Sequence, residues 1–246
     1  MSVLCLNAVS KHYADTRALD NVSIDFAENS ITAIIGRSGC GKSTLLRACN
    51  GMVVPEHGSV SVLGERLDQT VLSNLRRKMG YAVQGTGLFP HLNAKQNISI
   101  MAELEGWPID AIENRLAELQ GLTQLSDEQI SKFPHELSGG QQQRVGLCRA
   151  MMLKPPILLL DEPFAAIDPI TRDDIHHQLR TLHAAEPSTA VLITHDMREA
   201  MLLADHLAVM DSGKIVITTT PEQLRHEYPG KAPEDVLPLL MAAGKA

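Results

Sequence analysis

An α/β fold, a mainly parallel sheet wrapped by helices, is predicted by three features of the sequence. Short continuous apolar runs, ITAIIG from Ile31, ILLLDE from Ile157 and AVLITH from Ala190, have the composition of strands buried on both faces. Helical stretches alternate with these runs, which is the pattern of parallel strands joined by crossover helices. The first two runs deliver polar clusters at what would be carboxyl strand ends, where ligands bind in such sheets.

In chain order, VSIDF (22–26) alternates as a strand, and ITAIIG runs into the glycine-rich stretch GRSGCGKST, Gly36 to Thr44. Lys42 then opens a helix, KSTLLRACNG, that stops at Gly51. YAVQ (81–84) reads as a short strand. AKQNISIMAELEG and PIDAIENRLAELQG read as helices parted by a turn at Gly106 to Pro108, and this helical middle looks inserted into the α/β core. SGGQQQRVGLCRAMML is a helix, ILLLDE a strand, TRDDIHHQLRTLH a helix and AVLITH a strand. LAVMDSGKIVITTT carries a turn signal at Asp211-Ser212-Gly213 and reads as a hairpin, followed by short helical pieces. There is no internal repeat and no low-complexity tract.

Composition narrows the function classes. With 44% hydrophobic and only 3% aromatic residues, the core must be mainly aliphatic. A net charge of −7 argues against a surface built to neutralise nucleic-acid phosphates, and no nucleic-acid partner is expected. Cys5, Cys40, Cys49 and Cys148 lack paired metal-ligand spacing, and the first residues do not form a signal peptide, so a reducing cytoplasm is the expected home. Apolar runs stop at Asp161 and Asp205, far short of the roughly 20 residues of a membrane helix.

GRSGCGKST between a strand and a helix is the G-x-x-x-x-G-K-S phosphate loop in its proper setting. Gly36, Gly39 and Gly41 let backbone amides approach phosphates, and Arg37, Ser38, Cys40 and Thr44 complete the cradle. Lys42 is expected to bridge the terminal phosphates and Ser43 to place its hydroxyl on Mg²⁺. Cys40 occupies a variable position as a tolerated small residue. ILLLDEP adds Asp161 for the Mg²⁺ shell and Glu162 to polarise an attacking water. Adjacent carboxylates at the end of an apolar strand are costly without a counter-ion.

LSGGQQQR, Leu137 to Arg144, resembles the signature motif of the ABC transporter ATPases, and five further elements match that family in order. Tyr13 in SKHY is placed like the aromatic residue that stacks on adenine, and Gln84 like the Q-loop glutamine, which implies a part in catalysis and in the Mg²⁺ shell. AAIDP, Ala165 to Pro169, resembles the D-loop, with Asp168 facing nucleotide. His195 in ITHD resembles the switch histidine, and ILLLDEP the Walker B strand with its catalytic glutamate. The resemblance implies a P-loop NTPase core with an antiparallel β subdomain and an inserted α-helical signature subdomain. As one ABC ATPase domain over 1–246, the core would take 1–84 and 157–225, the helical subdomain 85–156, and a short extension 226–246.

In that family the signature of one copy faces the phosphate loop of another. Ser138, Gly139, Gly140 and Gln141 would then form a second anion-binding helix end, and ATP would join two copies head to tail. The segment Gly85 to Ile98 would receive a transmembrane permease subunit. Its Leu88, Phe89 and Pro90 either form an apolar patch for that partner or pack on their own domain. The implied place is the cytoplasmic face of the inner membrane, peripherally bound, beside a separate or fused solute-binding protein. LRRKMGYAVQGTGLFPH and KPPILLLDEPFAAIDPITRDDI are similar to ATPases of importers for glycine betaine, carnitine, choline and related osmoprotectants. Ala165 and Ile167 depart from the commoner serine and leucine, and with the sequence stopping soon after PEQLRHEYPG, gating by a regulatory CBS pair is not expected of this subunit. Another small solute, or a non-transport ABC ATPase acting on DNA or ribosomes, are the alternatives. His176 and His177 read as solvated, and Trp107 and Met151-Met152 as packing residues.

Overall fold

The computed structural model describes residues 2–14, 16–165 and 167–243. It divides into two compact units, one of residues 1–77 and 188–246 and the other of 78–187. Ala166 of the expected D-loop, and 244–246 of the expected extension, lie outside the described residues.

The first unit opens with β1 (Ser2–Tyr13) and β2 (Thr16–Ala27), paired antiparallel. Leu4 and Leu6 are buried in strict alternation, but the next buried residue is Val9, because a bulge at Ala8 (φ 50°) inserts one residue against β2. That slip breaks the period-two signal and hides β1 from a sequence reading. β3 (Ile31–Ile35) is buried at every position, as its continuous apolar run requires, and leads through the glycine loop into α1 (Lys42–Cys49). Full burial of side chains such as Ile34 and Ile35 stabilises by about 1.5–3 kcal/mol each. β4 (His57–Val62) and β5 (Glu65–Arg66) complete a four-stranded antiparallel sheet in the order β2-β1-β4-β5, and α2 (Leu72–Arg77) follows.

The second unit contains β6 (Met79–Ala82), α3 (Ala94–Leu104), α4 (Ile109–Thr123), α5 (Asp127–Ser131), α6 (Gly139–Met151), β7 (Ile157–Asp161) and α7 (Pro169–Ala185). β6 and β7 pair in parallel. α3, α4 and α6 pack together and bury Ile98, Ala102, Leu116, Leu119 and Val145. The expected strand YAVQ is displaced: β6 ends at Ala82, and Gln84 sits in a turn. Successive left-handed residues Gly85 (φ 74°), Thr86 (φ 64°) and Gly87 (φ 55°) cannot continue a strand.

The chain returns to the first unit with β8 (Thr189–Thr194), α8 (Met197–Leu203), β9 (His206–Asp211), β10 (Lys214–Thr219), α9 (Pro221–Glu227) and α10 (Pro233–Ala243). β8 and β9 flank β3, both parallel to it, and β10 pairs antiparallel with β9 through the turn expected at Ser212 (φ 49°) and Gly213 (φ 81°). The fold is thus the mixed α/β arrangement expected, with parallel pairs and a separate antiparallel sheet. Its core is aliphatic: only Phe26 and Phe164 are aromatic among the largest fully buried side chains. Met151 and Met152 pack inside as expected. His176 does not stay in solvent. It is 4% exposed, and its ring meets Phe164 edge-on at 4.5 Å, because α7 turns that position inward while His177 remains exposed.

Candidate functional site

In the first unit the loop after β3 is shaped by close approach. A Cβ on Gly36 would lie 2.1 Å from the Met210 carbonyl oxygen, and one on Gly41 (φ 109°) would lie 2.2 Å from that of Ala18. Any side chain there would displace backbone. Gly39 (φ 78°) has open space around it, so its requirement is conformational. Arg37, Ser38 and Gly39 are exposed, whereas Ser43 and Thr44 lie half-buried in the first turn of α1. Lys42 is only 5% exposed, and its Nζ donates to the carbonyls of Gly36 (2.8 Å) and Arg37 (3.0 Å). Placing a desolvated ammonium inside a loop is costly unless an anion or carbonyls meet it. The first turn of α1 carries no acidic residue, so the positive helix end is not offset there. This cradle fits a polyphosphate. Burial raises the Cys40 thiol pKa, which leaves it an unreactive filler.

Beside the loop runs β8, with Thr194 in register with Ile35, so Gly36 and His195 leave adjacent parallel strands at the same level. His195 is exposed. The Thr194 hydroxyl donates to the buried Glu199 at 2.5 Å and accepts from Asp196 N at 2.9 Å. Asp196 then caps α8, accepting from Arg198 N (2.8 Å) and Glu199 N (3.4 Å). Tyr13 ends β1 with 48% of its surface exposed and the Lys11 ammonium 5.6 Å from its ring centre. Such an open ring can receive a stacked base.

The second unit carries the carboxylates. β7 is buried throughout and ends on Asp161, 2% exposed. Glu162 follows in the left-handed region (φ 45°), a conformation that costs a non-glycine residue roughly 1–3 kcal/mol and recurs at functional sites. Asp161 offers the hard oxygen that a magnesium ion prefers, as Ser43 does in the first unit. Among the described residues no cluster of three or more His, Cys, Asp or Glu could itself hold a metal. Pairing of Ala82 with Leu160 brings Gln84 and Glu162 out at the same end of β6 and β7, with Gln84 exposed in its turn.

Ser138 caps α6 through a capping box: its Oγ accepts from Gln141 N (3.3 Å) and Gln141 Oε1 accepts from Ser138 N (3.0 Å). The cap draws on the Ser138 hydroxyl of the expected anion-binding helix end. One lone pair of that hydroxyl serves the cap, and its O–H can still donate. Gly139 is exposed and Gly140 buried, where a Cβ would strike Thr171 Cγ2 at 2.2 Å, so α6 approaches α7 closely at this end. Asp168 caps α7 by accepting from Thr171 N at 3.0 Å.

Two residues that the sequence reading missed lock the segment after Gln84. Asn97, fully buried on α3, exchanges hydrogen bonds with Phe89 (N to Oδ1 2.8 Å, Nδ2 to O 3.1 Å), and its Nδ2 also reaches Leu92 O at 2.9 Å. Arg149 on α6 donates to Thr86 O and Gly87 O, both at 2.9 Å, and lies 5.8 Å from the Phe89 ring. Asparagine on the buried stripe of an amphipathic helix was the available signal. Phe89 (42% exposed) and Pro90 stay open to solvent, with Leu88 half-buried.

The model of the ABC transporter family matches residues 19–165. Among curated proteins, the chain is similar to the glycine betaine/carnitine/choline transport ATP-binding protein OpuCA of Bacillus subtilis (strain 168). They are 41% identical over 223 residues, 90% of this chain and 59% of OpuCA. The sulfate/thiosulfate import ATP-binding protein CysA of Synechocystis sp. (strain ATCC 27184 / PCC 6803 / Kazusa) is 40% identical, over 93% of this chain and 63% of CysA. The chain thus spans about three fifths of the length of these relatives. A solved dimer of the ATP-binding cassette MJ0796, in a post-hydrolysis state bound to ADP and Pi, has a TM-score of 0.81 and 30% identity. That match covers 89% of this chain and 98% of that one.

Proposed function

The chain belongs to the ABC transporter family, and from that premise we propose that it binds and hydrolyses ATP as the energy-supplying subunit of a solute importer, acting as a pair of copies. The observation that carries the reading is the loop from Gly36 to Thr44, where Gly36 and Gly41 occupy positions that no Cβ can enter and the buried Lys42 turns its ammonium onto the loop carbonyls.

In this reading Lys42 neutralises the terminal phosphates, amides of Gly39 to Ser43 cradle them, and Tyr13 stacks on the base. Bound Mg²⁺, held by Ser43, Asp161 and Gln84, would offset charge between the phosphates. Glu162 accepts a proton as water oxygen attacks the γ-phosphorus, and the bond to the β-phosphate oxygen breaks to leave ADP. His195 donates to the γ-phosphoryl oxygens, and Ser138, Gly139, Gly140 and Gln141 of a second copy close over them, with Asp168 at the join. Hydrolysis removes the group that both copies share and so releases the pair.

The partner would be a permease docked near Gly85 to Ile98 at the cytoplasmic face of the membrane, served by a solute-binding protein. Among the described residues no helix is long and apolar enough to cross a membrane. Glycine betaine or a related osmoprotectant is the proposed solute, supported by the likeness to OpuCA. The likeness to CysA supports a second reading, an oxyanion importer. ATP turnover by the purified chain, compared with Glu162→Gln, tests the chemistry: the variant should bind Mg·ATP and lose at least ~100-fold in kcat, as removal of a general base does. Equal turnover by both would overturn the assignment.

A further inference from the structure

We propose that α10 is the second support of the switch histidine, with Glu234 and Arg198 as positioning residues for His195. This rests on the hydrolytic role proposed for His195.

His195 lies between the last residue of β8 and the first turn of α8, so its direction follows how that turn is held. On the inner side the hold is buried: Thr194, Glu199 and the Asp196 cap form one chain of hydrogen bonds. On the outer side it comes from α10. Arg198, in the first turn of α8, sends Nε to Glu234 Oε2 at 3.1 Å and Nη2 to Oε1 at 2.8 Å, a two-point fork that fixes orientation as well as distance. A cation at a helix amino terminus opposes the helix dipole; the Asp196 cap offsets Arg198 from within α8, and Glu234 is the larger counter-charge. Glu234 acts from the first turn of α10, where a carboxylate is favoured. The pairing raises the Arg198 pKa and lowers that of Glu234.

α10 is itself anchored. Val236, Leu240 and Met241 are buried, and the helix packs on α8 and on β9, the strand beside β3. Between α8 and α10 is a cleft of about 400 Å³ bordered by His195, Asp196, Met197, Arg198, Glu234 and Leu237. The ion pair therefore lies on the border of this cleft, which His195 also lines. The side chains of Arg198 and Glu234 are 70% and 53% exposed, so the pair contributes little to global stability, and its effect is to set geometry.

The test measures steady-state hydrolysis of Mg·ATP and thermal unfolding on the full chain and four variants: Glu234→Ala, Arg198→Ala, the charge swap Arg198→Glu with Glu234→Arg, and His195→Ala. An exposed pair of this kind should change kcat by roughly two- to five-fold. Glu234→Ala and Arg198→Ala should each lose that much with KM for ATP and the unfolding midpoint unchanged, the swap should recover most of it, and His195→Ala should lose far more. Wild-type kcat in Glu234→Ala, with His195→Ala inactive, would overturn the inference and leave the hydrolytic reading standing. A joint fall in kcat and unfolding midpoint that the swap does not repair would reduce α10 to a structural role and also overturn it. Full activity in His195→Ala would remove the hydrolytic reading, and this inference with it.

Discussion

Glu162 and Lys42, proposed to activate water and to meet the phosphates, are each held at a cost to the fold. Glu162 holds a left-handed backbone that glycine or asparagine would adopt more easily, and Lys42 gives up the hydration of its ammonium. The two should fail differently. Glu162→Gln should keep nucleotide affinity while turnover collapses and the closed pair of copies accumulates. Lys42→Ala should lose nucleotide affinity itself, because the charge facing the phosphates is gone; titration calorimetry with ATP separates the two outcomes. These residues were legible in the sequence because a local motif fixes their spacing. Arg115 was not. It is 3% exposed on α4, pairs with Glu186 and Glu118, and donates Nη2 to Met151 O at 2.6 Å and Nε to Met152 O at 3.2 Å. Burial works to lower its pKa, but the hydrogen bonds to Glu186 and Glu118 outweigh this and the net direction is up. Nothing in a lone arginine among the polar positions of a helix announces distant carbonyl partners. Arg115→Ala should destabilise the chain by about 1–3 kcal/mol, the usual cost of leaving buried acceptors, here the Met151 and Met152 carbonyls, unsatisfied, as read by urea unfolding.

At the level of elements, the strand-loop-helix around Gly36 and the hairpin at Asp211 to Gly213 were readable, since their signals are continuous in sequence. The long β1 was not, because its bulge at Ala8 changes the phase of burial, and neither were α2 and α5, of 6 and 5 residues, each too short to show a helical period. The turn after β6 was also hidden, and it opens the segment proposed to meet a permease. Arg149 and Asn97 bind its carbonyls to α6 and α3, so Thr86 to Phe89 and the helix capped by Ser138 form one mechanical piece within the second unit. An account in which this segment carries motion to a permease predicts that Arg149→Ala keeps ATP hydrolysis in the purified chain but loses solute uptake in cells. Loss of both together in a stably folded variant would count against that division.

For the whole molecule, the motif set is shared between two units. The phosphate loop, Tyr13 and His195 belong to the first, and Gln84, Asp161, Glu162, Asp168 and Ser138 to Gln141 belong to the second. One copy carries one phosphate loop and one signature motif, which is why the proposed engine needs two copies. The solute was the least legible property, because none of the residues discussed would contact it and relatives named for glycine betaine and for sulfate are nearly equally similar. The most direct test of the central claim is uptake of radiolabelled glycine betaine at high osmolarity in cells of the source organism lacking this chain and any redundant importer. The cells are supplied with the native chain or with Glu162→Gln, and sulfate uptake is measured in parallel. Glycine betaine uptake restored only by the native chain, with sulfate unaffected, is the predicted result. Glycine betaine uptake that is the same with and without the native chain would contradict the account.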